Sequence, residues 1–542
     1  MFASFTRSRR RFADCHDLSR RLSKGIGLAC ALVLAGPAVT ARAEEPALSP
    51  AQTVSVPVDD AQIEAALGKL DALTQDVLER SGVPGLAVAV VWKGKTVFAQ
   101  GYGVLAVGDP ASVDAETVFQ IASLSKSLAA TVVAGKVGEG IIRWDDPVVD
   151  HLPGFRLQNE AVSEMLTLGD LFAHRSGLPD HAGDDLEDIG FDRAQVLERL
   201  RLLPLGSFRD SYAYTNFGLT AAGEAVARAS RSDWASLSDD VLYQPLGMSS
   251  TSSRFSDYMD RDNRALPHVR ESGTFESLYQ RQPDAQSPAG GVSSSVNDMA
   301  KWMALVLGEG AFDGKQLIGK DALLQATTAQ MISSPQHALD ARPGFYGFGF
   351  NVGVEPTGRV TLSHSGAFAL GAATGFLMVP SLDLGIVVLT NAEPFGVPEG
   401  LARSFMDVVE YGALTRDWLA GYEQLLAPLM KPVGTMAGKP APVDPKAAGA
   451  LADYAGSYEN AYFGPAKIVS GNDGLVLEIG PKGQTFDLTH WDGDTFVFEP
   501  RLENAPAGSR SLVRFERQNA EDAKSVWIEY FDEHGFGTFE RP

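Results

Sequence analysis

Along the chain the spacing of apolar positions changes repeatedly, and each change marks a boundary. From Ile63 to Ser81 apolar residues recur at helical spacing and stop at Gly82, which predicts a helix closed by a glycine cap. Gly85 to Val91 is a continuous, β-branched run, Lys93-Gly94-Lys95 is a turn, and Thr96 to Gly101 returns, a hairpin signature. Leu124, Leu128 and Val132 then recur every fourth position, predicting a helix that buries one stripe and ends at Gly138 and Gly140. Residues 140–290 carry mostly helical patterns and loops, among them Asp192 to Leu203 and Leu219 to Ser230. Pro288-Ala289-Gly290-Gly291 reads as a turn, and Ser294 as the cap of a helix through Asp298, Trp302 and Val306. Strand patterns resume at Tyr346–Val352, Thr361–Ala373 and Gly375–Thr390, the last broken by Pro380-Ser381-Leu382-Asp383, before a helix from Pro398 to Tyr411. A sheet drawn from both ends of residues 61–430, covered by helices on both sides, accounts for this order. Residues 431–449, rich in Pro, Gly, Ala and Lys, read as a linker. From about residue 450 to 542 the pattern turns to short alternating runs such as Leu475–Ile479 and Thr495–Phe498, the spacing of a small β-barrel.

Composition narrows the setting. Arginines from Arg7 to Arg21, an apolar run over 25–40 and Ala41-Arg42-Ala43 form a cleavable export signal over residues 1–43, followed by a Pro/Ala-rich leader over 44–60. The apolar run is too short for a membrane anchor, so a periplasmic or secreted protein without stable membrane insertion is expected. Ser8-Arg9-Arg10-Arg11-Phe12 is similar to a twin-arginine motif, and the choice of export route stays open. Cys15 and Cys30 both lie in the signal, so the exported chain contains no disulfide and no thiolate chemistry. The net charge of −22 argues against nucleic acid as a partner. No Gly-x-Ser-x-Gly elbow, His-Glu-x-x-His, Walker loop or dinucleotide fingerprint occurs, and neither metal nor cofactor is expected.

The candidate chemistry starts at Ser123-Leu124-Ser125-Lys126. Residues three apart on a helix share a face, so an amine at Lys126 can take the proton that makes the Ser123 hydroxyl a nucleophile. Ser123 also sits near a helix start, where free N–H groups favour developing negative charge. Tyr214-Thr215-Asn216 offers a phenol, which becomes a base if a nearby cation lowers its pKa, and an amide that orients a substrate carbonyl or holds the lysine. Tyr212 competes with Tyr214. Within a strand pattern, Ser363-His364-Ser365-Gly366-Ala367 places a glycine where substrate can approach the backbone closely.

In order and spacing these segments resemble the penicillin-recognising serine hydrolases: class C β-lactamases, D-Ala-D-Ala carboxypeptidases, D-aminopeptidases and related esterases. His174-Arg175-Ser176-Gly177-Leu178 and Gly290-Gly291 leading to Asp298-Met299-Ala300-Lys301-Trp302 fit the same pattern. The resemblance covers about residues 60–415. It implies an α/β (α+β) β-lactamase/transpeptidase-like fold, an antiparallel sheet flanked by helices with a helical insertion over about 140–290. It implies Ser123 as acylated nucleophile, Lys126 as proton acceptor or tuner, and Tyr214 as base and then leaving-group acid. Asn216 would position substrate, and the N–H groups of Ser123 and Ala367 would hold the oxyanion beside Gly366. His364 stands where β-lactamases and carboxypeptidases have lysine, which favours peptides containing D-amino acids or related small amides over carboxylate-anchored substrates. A carboxylesterase, a weak β-lactamase, or a ligand-binding sensor without turnover are the alternatives. Tyr454-Ala455-Gly456-Ser457-Tyr458 and His490–Phe496 resemble a lipocalin-like module appended to some of these hydrolases, suited to capping the cleft or to assembly into a homo-oligomer.

Overall fold

The computed structural model describes residues 52–271, 273–471, 474–517 and 522–542. The expected export signal over residues 1–43 and residues 44–51 of the leader lie outside the described residues. Ser55 and Val56, at the end of the leader, hydrogen bond to Thr357 and Arg359.

Helix α1 (Asp60–Ser81) opens with a capping box at Asp59 and ends on Gly82 in the left-handed region, where a residue without Cβ is favoured. The hairpin follows as β1 (Gly85–Trp92) and β2 (Lys95–Gly103). They join an eight-stranded antiparallel sheet with β3 (Met331–Ser334), β4 (Gly344–Tyr346), β5 (Asn351–Val354), β6 (Val360–Phe368), β7 (Ala372–Val379) and β8 (Leu384–Thr390), in the order β2-β1-β8-β7-β6-β5-β4-β3. The first hairpin therefore pairs with the last strand, β1 against β8, and the residues between β2 and β3 are an insertion into the sheet's sequence. β1 shows why its residues read as one apolar run: Leu86, Val88 and Val90 enter one core and Ala87, Ala89 and Val91 the other. A strand covered on both faces has no polar side. On one face lie α1 and α6 (Val397–Tyr411); on the other, α2 (Ser125–Gly138) and α5 (Val296–Leu307). The insertion supplies α3 (Asp184–Asp188) and α4 (Asn216–Ala229).

Several local expectations change. Helix α2 is buried on all sides from Ser125 to Gly135, because sheet and inserted helices enclose it; the single apolar stripe understates its contacts. Pro288 to Gly290 lie in a short helical turn, Ser287–Gly290. Ser295, not Ser294, caps α5 by accepting from Asp298 N; Ser294 pairs with Phe119 and its hydroxyl meets Thr251. The run Tyr346–Val352 splits into the ends of two strands. Gly349 sits at φ +76°, and a Cβ there would lie 2.4 Å from Lys126 O, so the chain breaks from the sheet to pass against α2.

The C-terminal strands are β9 (Gly456–Tyr458), β10 (Ala466–Ser470), β11 (Leu475–Ile479), β12 (Gln484–Asp492), β13 (Thr495–Phe498), β14 (Ser511–Glu516), β15 (Ser525–Ile528) and β16 (Thr538–Glu540), each paired antiparallel with the next. Glu459 and Glu540 exchange backbone hydrogen bonds of 2.7 and 3.0 Å, which brings the last strand beside the first and nearly closes an up-and-down barrel. Its aromatic interior, with Tyr454, Tyr458, Phe463, Phe515 and Phe531, is continuous with the core of the larger domain.

Candidate active site

Ser123 lies in a single 3-10 turn, Ala122–Leu124, immediately before α2. The turn is tightly held. Thr374 Oγ1 donates to Ile121 O at 2.8 Å, Ser125 Oγ donates to Ala122 O at 2.6 Å, and Val292 N donates to Ser125 Oγ at 3.0 Å. Ala122 has φ +47°, a strained conformation for a residue with a Cβ, and these bonds fix it beside the serine.

Lys126, one turn on, is wholly buried. Its Nζ is 3.0 Å from Ser123 Oγ, 2.7 Å from Asn216 Oδ1 and 2.9 Å from Ala289 O. Burial, offset only in part by the charge of Asp184, pulls its pKa down to about 7. A neutral amine has two N–H donors and one lone pair. The amide and carbonyl oxygens take the two donors, and the lone pair is left for the Ser123 hydroxyl.

Lys126 Nζ also stands 4.6 Å from the centre of the Tyr214 ring. Burial raises the Tyr214 phenol well above its ordinary value, although a hydrogen bond with Ser123 works the other way. The phenol keeps its proton here, and the group with a pKa near neutrality is the lysine. Tyr212 packs edge-on against His174 and Tyr346; it is Tyr214 that meets Ser123. The ring of buried His174, from the His-Arg-Ser-Gly-Leu segment, lies 4.5 Å from that of Tyr214, and its Nδ1 accepts from Thr215 N at 3.1 Å.

Asn216 uses both ends of its amide internally: Oδ1 on Lys126, and Nδ2 donating to Asp184 Oδ2 at 2.7 Å. It holds the lysine. His364 is likewise occupied. Its Nδ1 is 2.7 Å from Ser365 O, which can only accept, so Nδ1 carries the hydrogen and Nε2 accepts from Tyr346 Oη at 2.8 Å. Burial first, and then the charge of Lys126, brings the imidazole down to about 3, so it is neutral. Gly366 permits β6 to approach Ser123 closely: a Cβ there would lie 3.1 Å from Ser123 N and 2.4 Å from Ile121 O. Ala367 follows on the same strand.

The sequence patterns missed Asp184, His181, Ala289 and Tyr346. Asp184 Oδ2 joins Asn216 to His181 Nδ1, 2.8 Å away. Burial disfavours charge on His181, but the hydrogen bond and charge of Asp184 prevail and raise it to about 9. Four acids within Asp184-Asp185-Leu186-Glu187-Asp188 were the available signal, since a segment so charged stays buried only if its carboxylates have partners. Beside the site, a cavity of about 520 Å³ touches His181, Asp184 and Ala367 on one side and Lys431, Glu503 and Tyr530, from the linker and barrel, on the other.

Comparison with known proteins adds the lineage. A family model described as Beta-lactamase matches residues 70–409, and one described as a domain of unknown function (DUF3471) matches 440–537. The chain is 26% identical over 474 residues to Unguisins hydrolase ungD of Aspergillus violaceofuscus, covering 79% of this chain and 82% of that one. It is 27% identical over 383 residues to Esterase EstB of Burkholderia gladioli, covering 63% and 94%. An octameric penicillin-binding protein homologue from Pyrococcus abyssi shares the fold with a TM-score of 0.57 at 18% identity, over 85% of this chain and 98% of that one.

Proposed function

Since the chain belongs to the beta-lactamase family and is a serine hydrolase, we propose that it is an exported enzyme. Its substrate is an amide bond in a small peptide containing D-amino acids or in a related small amide, cleaved through an acyl-enzyme on Ser123. The observation that carries this reading is the 3.0 Å contact between Ser123 Oγ and an amine whose pKa is about 7. Lys126 accepts the hydroxyl proton as Oγ attacks the carbonyl carbon. The N–H groups of Ser123 and Ala367 stabilise the oxyanion. As the C–N bond breaks, Tyr214 gives its proton to the departing amine and is reprotonated by Lys126. Water then attacks the ester by the reverse relay, releasing the acid and restoring the serine.

Substrate preference follows from His364. A neutral imidazole with both nitrogens occupied offers no fixed positive charge to a substrate carboxylate, and its role is to shape the pocket with Tyr346. This supports a substrate without a carboxylate at that point. An ester fits the same requirement, and the likeness to an esterase makes ester cleavage the second reading.

The test is labelling with a fluorophosphonate, followed by turnover of D- and L-aminoacyl p-nitroanilides, p-nitrophenyl esters and nitrocefin. An adduct on Ser123, its loss in Ser123→Ala, and fastest turnover of the D-aminoacyl anilides are expected. Absence of the adduct overturns the mechanism. Ester turnover without anilide turnover overturns the amide reading and leaves the acyl-enzyme standing.

A further inference from the structure

The barrel reaches the catalytic domain with two consecutive residues. Leu502 and Ala505 close a tight turn, Ala505 N donating to Leu502 O at 3.1 Å, and the turn presents Glu503 and Asn504. The Glu503 carboxylate accepts from Ala369 N at 2.7 Å and from Leu370 N at 3.3 Å. Those N–H groups head the turn between β6 and β7, two and three residues beyond Ala367. Asn504 donates from its backbone N at 3.2 Å and from Nδ2 at 2.9 Å to Asp188 Oδ2. Asp188 ends α3, the helix that begins with Asp184, the partner of Asn216. Tyr530 and Tyr462 of the barrel bond the same helix at Asp188 and Asp185, at 3.1 and 3.0 Å.

We propose that Glu503-Asn504 is a positioning element of the active site, one dipeptide that holds both the β6–β7 turn carrying Ala367 and the helix carrying Asp184. The inference rests on the reading of Ser123 as nucleophile and Ala367 N–H as oxyanion donor. A hairpin turn with two unpaired N–H groups is free to move, and an oxyanion donor is effective only within a few tenths of an ångström of its place. The carboxylate of Glu503 supplies the acceptor for both N–H groups from a separately built domain. Arg281 completes the junction: it pairs with Glu187 at 2.6 Å, its guanidinium lies 5.4 Å from the Phe368 ring, and its carbonyl accepts from Gln120 Nε2 at 2.9 Å, three residues before Ser123. On this view the barrel is part of the catalytic apparatus, and its contribution is geometric: neither residue touches the reacting atoms.

The experiment uses the full chain as wild type and as Glu503→Ala, Glu503→Gln, Asn504→Ala and Tyr454→Phe. Fluorophosphonate labelling of Ser123, steady-state kcat and KM, and thermal unfolding are measured on each. Glu503→Ala is expected to lower kcat and the labelling rate by up to about tenfold, the effect of losing a buried hydrogen bond, with KM changed less than about twofold. Glu503→Gln keeps one acceptor oxygen and restores most of the loss. Asn504→Ala lowers kcat by a smaller factor. Tyr454→Phe removes a barrel hydroxyl bonded to Asp494; it lowers the melting temperature and leaves kcat alone, separating barrel stability from positioning. Wild-type labelling and kcat in folded Glu503→Ala overturn the proposal while leaving Ser123 as nucleophile. Absence of Ser123 labelling in the wild type overturns both.

Discussion

Lys126 and Arg281 are both buried cations, and their surroundings set them to opposite tasks. Arg281 faces carboxylates, Glu187 at 2.6 Å and Asp188 at 3.6 Å, and although burial disfavours its charge, those anions hold its pKa above the ordinary value. Lys126 faces dipoles: an amide oxygen, a main-chain carbonyl and a hydroxyl, with Asp184 acting only from behind Asn216. Its pKa falls to about 7. A buried cation given anions is fixed as structure; one given neutral acceptors becomes a group that exchanges a proton.

The sharpest way to break the contrast is to remove the proton exchange. Lys126→Ala, and equally Lys126→Arg, whose charge cannot be lost, should lower kcat/KM by about 10² to 10⁴, the usual worth of a general base; near-normal rates in either would show that the lysine is not the base. Lys126→Met should lower the melting temperature, because it leaves the buried Asn216 Oδ1 and Ala289 O without their donor. At Arg281 the effect on stability is larger. Arg281→Ala strands buried carboxylates and should destabilise by about 3–5 kcal/mol in chemical denaturation; a fall below about 1 kcal/mol would deny the cluster its structural role.

Finer tests sharpen the comparison. The base form of Lys126 is the neutral one, present above its pKa and lost below it, so kcat/KM should rise with pH through about 7. Asp184 raises that pKa, and Asp184→Asn should shift the acid limb to lower pH; a shift upward would contradict the assignment. The smallest effect is expected at the pocket wall. His364 has a folded pKa of about 3, depressed below the value of about 6.5 for the unfolded side chain, so its contribution to stability is present above about 6.5 and is lost as pH falls towards 3. Tyr346→Phe removes the hydroxyl that occupies Nε2 and should destabilise by about 1–2 kcal/mol at neutral pH, read by thermal or urea unfolding.

The sequence carried the chemistry wherever it was local. Ser123 and Lys126 sit three apart on one helical turn, and Tyr214 and Asn216 flank a helix start, so period and motif point to them directly. Strand alternation and turn residues located the hairpin β1–β2, the break at Pro380–Asp383 and the barrel. What escaped depends on packing from several directions. A single apolar stripe on α2 is what a surface helix would show; its burial on every side comes from β6 and from inserted helices far along the chain. Tyr346 and Asp184 have no motif because each acts on a residue distant in the chain, Tyr346 on His364 and Asp184 on Asn216. The condition for a phenolate at Tyr214, a cation that lowers its pKa, is not met for the same reason: the exclusion of water, which lowers the lysine and raises the phenol, belongs to the assembled site.

The pairing of Glu459 with Glu540 carries a consequence for biosynthesis. Synthesis runs from the N-terminus, and the larger domain can collapse early, but the barrel cannot close until its last strand has left the ribosome. With the β6–β7 turn and α3 both held from the barrel, the unfinished chain would carry an assembled lysine–serine pair without its outer brace, and full hydrolytic competence would wait for the strand that carries Glu540.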